Sequence, residues 1–352
     1  MDLTFFRNKK VLITGHTGFK GSWLTKILLL AGADVTGYAL DPPTEPNLFT
    51  MAGLDRALGK KSVRGDIRDF DRLFSVFSDF QPEIVLHLAA QPIVRASYED
   101  PRGTYETNVL GTVNVLECVR KTPSVRSVLN VTTDKVYENF EWERGYREDD
   151  RLDGYDPYSN SKSCSELVTH CYVRSFFQDT DVRVSTARAG NVIGGGDFAK
   201  DRIIPDAVRA AEKGTPLIVR NPCSTRPFQH VLEPLFAYLL IAKKAFEDPK
   251  YAGNYNVGPD DRDCLETGHI ADLFAESWGE GFSWKNVSDG GPHEAHFLKL
   301  DNTKLKETFG WNPVWDIRTA VEKTAAFHKA EDKVSEMECE IEEYIKGLNQ
   351  YV

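Results

Sequence analysis

Val11-Leu12-Ile13-Thr14-Gly15-His16-Thr17-Gly18-Phe19-Lys20-Gly21 decides the fold. The first four residues read as a short buried strand. The glycines at 15, 18 and 21 give the spacing GxxGxxG, which lets the backbone turn tightly and approach a ligand closely. The helix that follows offers free N–H groups and a partial positive charge at its start, which together suit a pyrophosphate.

Working outward, strand-like and helix-like segments alternate. Lys10–Thr14 reads as the first strand and Trp23–Ala31 as its helix. Asp34–Ala39 and Val63–Asp66 read as further strands, Asp69–Phe80 as a helix and Ile84–Leu88 as a fourth strand. Tyr105–Lys121 reads as one long helix, Ser127–Thr132 as a strand, Ser159–Phe177 as a helix and Val182–Thr186 as a strand. This alternation predicts an α/β fold, a doubly wound parallel sheet of the Rossmann type, with a second, smaller substrate-binding domain. Residues 1–187 are assigned to the dinucleotide domain, with about 228–256 returning to it, and 188–318 mainly to the substrate domain, where glycine and proline become frequent. Residues 319–352 form a helical tail. Its stripe of Val334, Met337, Ile341, Tyr344 and Leu348 runs about two heptads, too short for a coiled coil, and favours packing on its own domain.

The formal net charge is −10, which argues against nucleic-acid binding through a basic face. No stretch reaches the ~18 apolar residues of a membrane span, and the N-terminus lacks a secretory pattern. The six cysteines form no CxxC pair, so they suggest neither a disulfide framework nor a zinc site, and free thiols fit a reducing cytoplasm.

Asp41 lies about 20 residues past Gly21, where a carboxylate accepts hydrogen bonds from a ribose diol and repels a 2′-phosphate, so NAD is favoured over NADP. Asp66 ends the third strand and Ile67 follows it, near the expected adenine. Leu88, Ala89, Ala90 and Gln91 end the fourth, where small side chains admit the cofactor. With Gly15, Thr17, Gly18, Phe19 and Gly21 from the loop, and Asn108 from the helix beyond, these are the expected cofactor contacts.

Tyr158 and Lys162 are spaced YxxxK, four apart at a helix start and hence on one face. A lysine ammonium beside a phenol favours the phenolate, which suits proton exchange near neutral pH. Thr133, Asp134 and Lys135 end the preceding strand, at the sheet edge where such folds bind ligands. Tyr158 and Lys162 also belong to the cofactor set.

Together these residues resemble the extended short-chain dehydrogenases that act on nucleotide sugars, from Gly15 to about Trp315. Aspartate and a second ionisable residue after Thr133 resemble the 4,6-dehydratases; dTDP-glucose enzymes normally carry glutamate where this chain has Lys135. With Gly37-Tyr38-Ala39-Leu40-Asp41-Pro42-Pro43-Thr44 and Arg188-Ala189-Gly190-Asn191-Val192-Ile193-Gly194-Gly195-Gly196-Asp197, that lysine resembles the branch acting on CDP-glucose. The resemblance implies C4 oxidation, elimination of water across C5 and C6, and hydride return to C6. Tyr158 would take the 4-hydroxyl proton, with Lys162 holding the phenol and a cofactor ribose. Thr133 would bond the C4 oxygen, Asp134 would be the acid and Lys135 the base. It also implies Arg226 on the diphosphate, Asn256 in a substrate-contacting turn, and a homodimer or higher homo-oligomer. Asn191 and Arg202 are further substrate candidates in the second lobe, and His230 is a weaker one. His293 and His296 lack partners at ligand spacing, so no metal is expected. Still open are a dTDP- or UDP-sugar dehydratase, a nucleotide-sugar epimerase or decarboxylase, and a catalytically silent NAD-binding regulator.

Overall fold

The computed structural model describes residues 2–287 and 296–349, so His293 lies outside the described residues. Seven strands form one parallel sheet: β1 (Lys10–Thr14), β2 (Asp34–Ala39), β3 (Ser62–Arg64), β4 (Ile84–His87), β5 (Ser127–Thr133), β6 (Arg183–Ala189) and β7 (Asn254–Val257). Their order is β7-β6-β5-β4-β1-β2-β3, with every neighbouring pair parallel. The order reverses at β1, between β2 and β4, and ligands of open parallel sheets bind at such a point, beyond the carboxyl ends of the strands.

Alternate residues of β1 feed two cores. Val11 and Ile13 join one with α1 (Phe19–Leu30); Leu12 faces the other, with α2 (Phe70–Phe80) and α3 (Gly111–Arg120). The helix α4 (Pro157–Tyr172) flanks the second face, started by Asp156, whose carboxylate accepts from Ser159 N, and by Pro157 in the first turn. A third core belongs to the second lobe and joins α5 (Ile203–Glu212) to α7 (Thr267–Trp278) and α8 (Ile317–Lys329). Between them in sequence, α6 (Leu232–Glu247) returns to the sheet and packs on β5 and β6.

Three helices depart from the sequence reading; in one, the Ser159–Phe177 stretch, α4 passes into a π-turn over Val173–Phe177. Tyr105–Lys121 is not one continuous α-helix. Pro101–Tyr105 gives way to a wider π-turn over Glu106–Leu110 before α3. Within that turn Asn108 spends its amide on other segments: Gln91 N donates to Asn108 Oδ1 at 2.8 Å, and Asn108 Nδ2 donates to Gln91 O at 3.1 Å and Ser161 Oγ at 2.9 Å. The tail splits into α8 and α9 (Lys333–Leu348). Asp332 accepts from Val334 N and Ser335 N to start α9, while Lys333 Nζ donates to the carbonyls of Phe327, His328 and Ala330 that end α8. Met337, Ile341 and Tyr344 are buried in the core that contains α1. Tyr344 donates to Glu233 Oε2 at 2.6 Å, and burial pushes the Glu233 carboxyl up to about 7.

Candidate active site

One cleft of about 1490 Å³ opens along the carboxyl edge of the sheet. Single small-molecule pockets span roughly 300–1,000 Å³, so this one has room for two ligands side by side. Its floor begins at the glycine loop. Gly15 has φ +79°, and a side-chain Cβ there would stand 2.7 Å from Ala89 N. A Cβ at Gly21 would stand 2.1 Å from Gly15 O. The loop is therefore closed to side chains, which brings its backbone to the cleft. α1 starts from Gly18 with no side-chain cap, so its first N–H groups are left for a ligand. Thr17 Oγ1 donates to Leu40 O at 2.9 Å and ties this loop to the end of β2.

Gly15, Thr17, Gly18, Phe19, Gly21, Asp41, Asp66, Ile67, Leu88, Ala89 and Ala90 all line the cleft. Gln91 and Asn108 do not. The Gln91 side chain donates to Ile93 O and Thr104 Oγ1 and accepts from Ile93 N, so this pair shapes the wall from behind. The Asp66 carboxylate is held by Arg68, through Nε at 3.0 Å and Nη2 at 2.6 Å. This lining, with its backbone cradle and the nearby Asp41, fits a dinucleotide.

Thr133, Lys135, Tyr158 and Lys162 converge on the inner end of the cleft. Thr133 Oγ1 donates to Asp134 Oδ1 at 2.9 Å, and Lys135 Nζ donates to the same oxygen at 3.2 Å and to Asn191 Oδ1 at 3.4 Å. Asp134 is fully buried behind them, and its Oδ2 has no hydrogen-bond partner among the described residues. That oxygen lies against Gly190, where an added Cβ would stand 3.1 Å from it.

The phenol does not titrate as the spacing alone suggests. Burial pushes Tyr158 up to about 12, against a hydrogen bond from Thr133 that lowers it. The Lys162 ammonium donates to Val131 O at 3.0 Å, and burial pushes it down to about 8, opposed by Glu166 one turn on. Desolvation is the largest influence on both groups, and it moves their pKa values apart, the phenol up and the ammonium down.

Asn191, Arg202 and Arg226 also line the cleft. Arg202 Nη1 donates to Asp197 Oδ2 at 3.0 Å, and Arg226 Nη1 to Thr225 O at 2.9 Å. Asn256 does not line it. Its side chain is wholly inside, accepting from Tyr137 Oη at 2.6 Å and donating to Tyr146 O and Asp301 O. His230 is buried against Glu340, also away from the cleft, and His296 sits at a loop edge where its N–H donates to Glu141 Oε1.

Lys20, in the glycine motif, also lines the cleft. Burial, then repulsion from Arg202 and Lys162, push it down to about 7. A charged residue in a helix turn that packs on a nucleotide loop was the available signal.

Comparison with known proteins agrees with this geometry. Residues 12–324 match the family described as GDP-mannose 4,6 dehydratase. The chain is 46% identical over 360 aligned residues to a CDP-glucose 4,6-dehydratase of Salmonella typhimurium, covering 99% of this chain and 100% of that protein. It is 27% identical to a dTDP-glucose 4,6-dehydratase of Xanthomonas campestris, covering 90% and 92%. Among solved structures, the Thermus thermophilus UDP-glucose 4-epimerase in complex with NAD aligns with TM-score 0.76 at 25% identity, covering 91% of this chain and 99% of that one. The Bacillus anthracis dTDP-glucose 4,6-dehydratase, at 20% identity, TM-score 0.75 and coverage of 94% and 99%, shares the fold. By sequence match along most of its length and by the fold that carries its site, this chain belongs to the GDP-mannose 4,6 dehydratase family.

Proposed function

We propose that this chain is an NAD-dependent hydro-lyase that converts CDP-D-glucose to CDP-4-dehydro-6-deoxy-D-glucose and water. The observation that carries this reading is the Asp134–Lys135 pair directly after Thr133, beside Tyr158 at the carboxyl edge of the sheet. A sugar isomerase that only removes and restores hydrogen at C4 has no use for this second acid–base pair. The choice of cytidine rests on the Salmonella relative.

Gly15, Gly18, Phe19 and Gly21 would hold the dinucleotide diphosphate, and Asp41 its adenosine ribose. The bound group supplies a hydride acceptor at C4 and afterwards a hydride donor at C6, so no net oxidation results. Tyr158 takes the 4-hydroxyl proton as its phenolate, which the Lys162 ammonium one helical turn on favours against the burial that raises the phenol, and Thr133 Oγ1 bonds the C4 oxygen. The resulting ketone acidifies the C5 proton, which Lys135 Nζ removes while Asp134 protonates the departing 6-hydroxyl. That step needs a neutral lysine and a protonated aspartate, which carry together the same single proton as the ion pair. Transfer of this proton across the 3.2 Å contact interconverts the two forms. Elimination leaves the ion pair, from which Lys135 Nζ returns a proton to C5 as C6 is reduced, and the proton held by Tyr158 replaces the one that Asp134 gave to the departing water. Arg226 and Arg202 bind the substrate diphosphate, arginine's planar fork meeting two phosphate oxygens at once. Residues 188–318 supply most of that substrate domain.

The active form in this reading is a cytoplasmic homodimer. Leu110, Leu167 and Phe176 are 54%, 52% and 46% exposed around the packed pair α3 and α4, an apolar face that a second copy would cover. No described helix is long and apolar enough to cross a membrane, and exposed free thiols at Cys171, Cys223 and Cys339 suit a reducing compartment. Mass analysis of CDP-glucose incubated with the protein and NAD tests the activity by loss of one water.

A further inference from the structure

Asp41, at the adenosine end of the cleft, is not a free carboxylate. Arg64 ends β3 in register with Ala39 of β2, which brings its side chain beside the loop after β2. Arg64 Nε donates to Asp41 Oδ1 at 2.8 Å, Nη1 donates to Ser62 Oγ at 2.8 Å, and the guanidinium lies 5.3 Å from the centroid of the Phe49 ring. The Asp41 side chain is 89% exposed, so the pair adds little to stability; what it fixes is where the two charges stand.

The other cationic candidates near this corner are engaged or uncharged. Arg68 is committed to Asp66, with Glu106 beyond. His16 packs under the loop with Nε2 2.8 Å from Ser62 Oγ, and burial followed by the Arg64 charge pushes it down to about 3, so it is neutral.

We propose that Arg64 is a specificity-determining residue for the cofactor: it aims the Asp41 carboxylate at the adenosine ribose, and with Asp41 neutralised it becomes the ligand of a 2′-phosphate. This rests on the dinucleotide reading of the cleft. With Asp41 intact, an incoming 2′-phosphate meets a carboxylate and an arginine whose charge is already answered. With Asp41 replaced by a neutral group, the same guanidinium, still held by Ser62 and Phe49, presents its fork to the phosphate.

Calorimetric titration of the full chain with NAD and with NADP, without sugar nucleotide, tests this. Wild type is expected to bind NAD much the tighter. Asp41→Asn should gain about tenfold or more in NADP affinity, the scale of one charge-assisted hydrogen bond. Asp41→Asn combined with Arg64→Gln should lose that gain, and Arg64→Gln alone should weaken NAD several-fold without gaining NADP. Asp41→Ser serves if the asparagine variant folds poorly. No NADP gain in the single variant, or an equal gain in the double variant, overturns the role of Arg64; the second result would leave Asp41 repulsion as the whole cause. Wild type that binds neither dinucleotide overturns the cofactor reading itself, and the Arg64 role with it.

Discussion

Lys135 Nζ stands 3.2 Å from Asp134 Oδ1, and the same carboxylate oxygen receives the Thr133 hydroxyl at 2.9 Å. Two residues therefore share one acceptor on the residue between them, at the place where a sugar would be oxidised and dehydrated. Replacing Lys135 by Met or Glu should leave dinucleotide binding and melting temperature near wild type but cut water loss by at least about 10²-fold, the usual scale for one acid–base group. Product mass and C5 deuterium wash-in measure it. Full turnover in Lys135→Glu would contradict the role of this lysine.

Tyr158→Phe removes only the hydroxyl that accepts the 4-hydroxyl proton. Turnover should fall about 10²- to 10⁴-fold, with CDP affinity held within about twofold because the ring still fills its site. Calorimetry with CDP separates the two effects. A parallel loss of CDP binding would make Tyr158 a binding residue instead.

Asn256 offers the opposite pattern. Its amide satisfies Tyr137 Oη, Tyr146 O and Asp301 O, so Asn256→Ala orphans buried polar groups and should cost about 1–3 kcal/mol. Denaturant melts should show that loss while KM for the sugar nucleotide stays close to wild type. A large KM change with unaltered stability would return Asn256 to the substrate site.

The particular residues show how far sequence reaches. Strand β1 and the glycine loop were legible because apolar run, turn and helix start are all local properties. Thr133, Tyr158 and Lys162 were legible as types and spacings, and the structure brings them into one cleft. The pKa of Tyr158 was not, because it depends on burial by distant segments. Asn256, Gln91 and Asn108 look like polar ligands in sequence, yet each turns inward to satisfy other parts of the chain. The Arg64–Asp41 pair joins two strands and is invisible until their register is known.

Glu233 links α6 to the tail, accepting from Val314 N, Trp315 N and Tyr344 Oη. Burial raises its pKa from 4.5 to about 7, so in the folded state it holds a proton that the unfolded chain has lost. Its stabilising contribution is complete below pH about 4.5 and fades as pH rises through 7. Across that window Glu233→Gln should show less decline of melting temperature with pH than wild type. Equal slopes would mean that Glu233 is not protonated inside the fold.

The apolar face around α3 and α4 should hold two copies together. Leu110→Glu with Leu167→Glu should give a monomer by light scattering where wild type gives a dimer. A monomeric wild type, or a double variant that stays dimeric, would place the interface elsewhere or remove it.

The most direct test is mass spectrometry of products after separate incubation of the protein and NAD with CDP-, dTDP-, UDP- and GDP-glucose. The expected result is loss of one water from CDP-glucose, with no accumulated NADH. Water loss from another nucleotide sugar instead would contradict the choice of cytidine, and isomerisation without water loss would contradict the acid–base roles of Asp134 and Lys135.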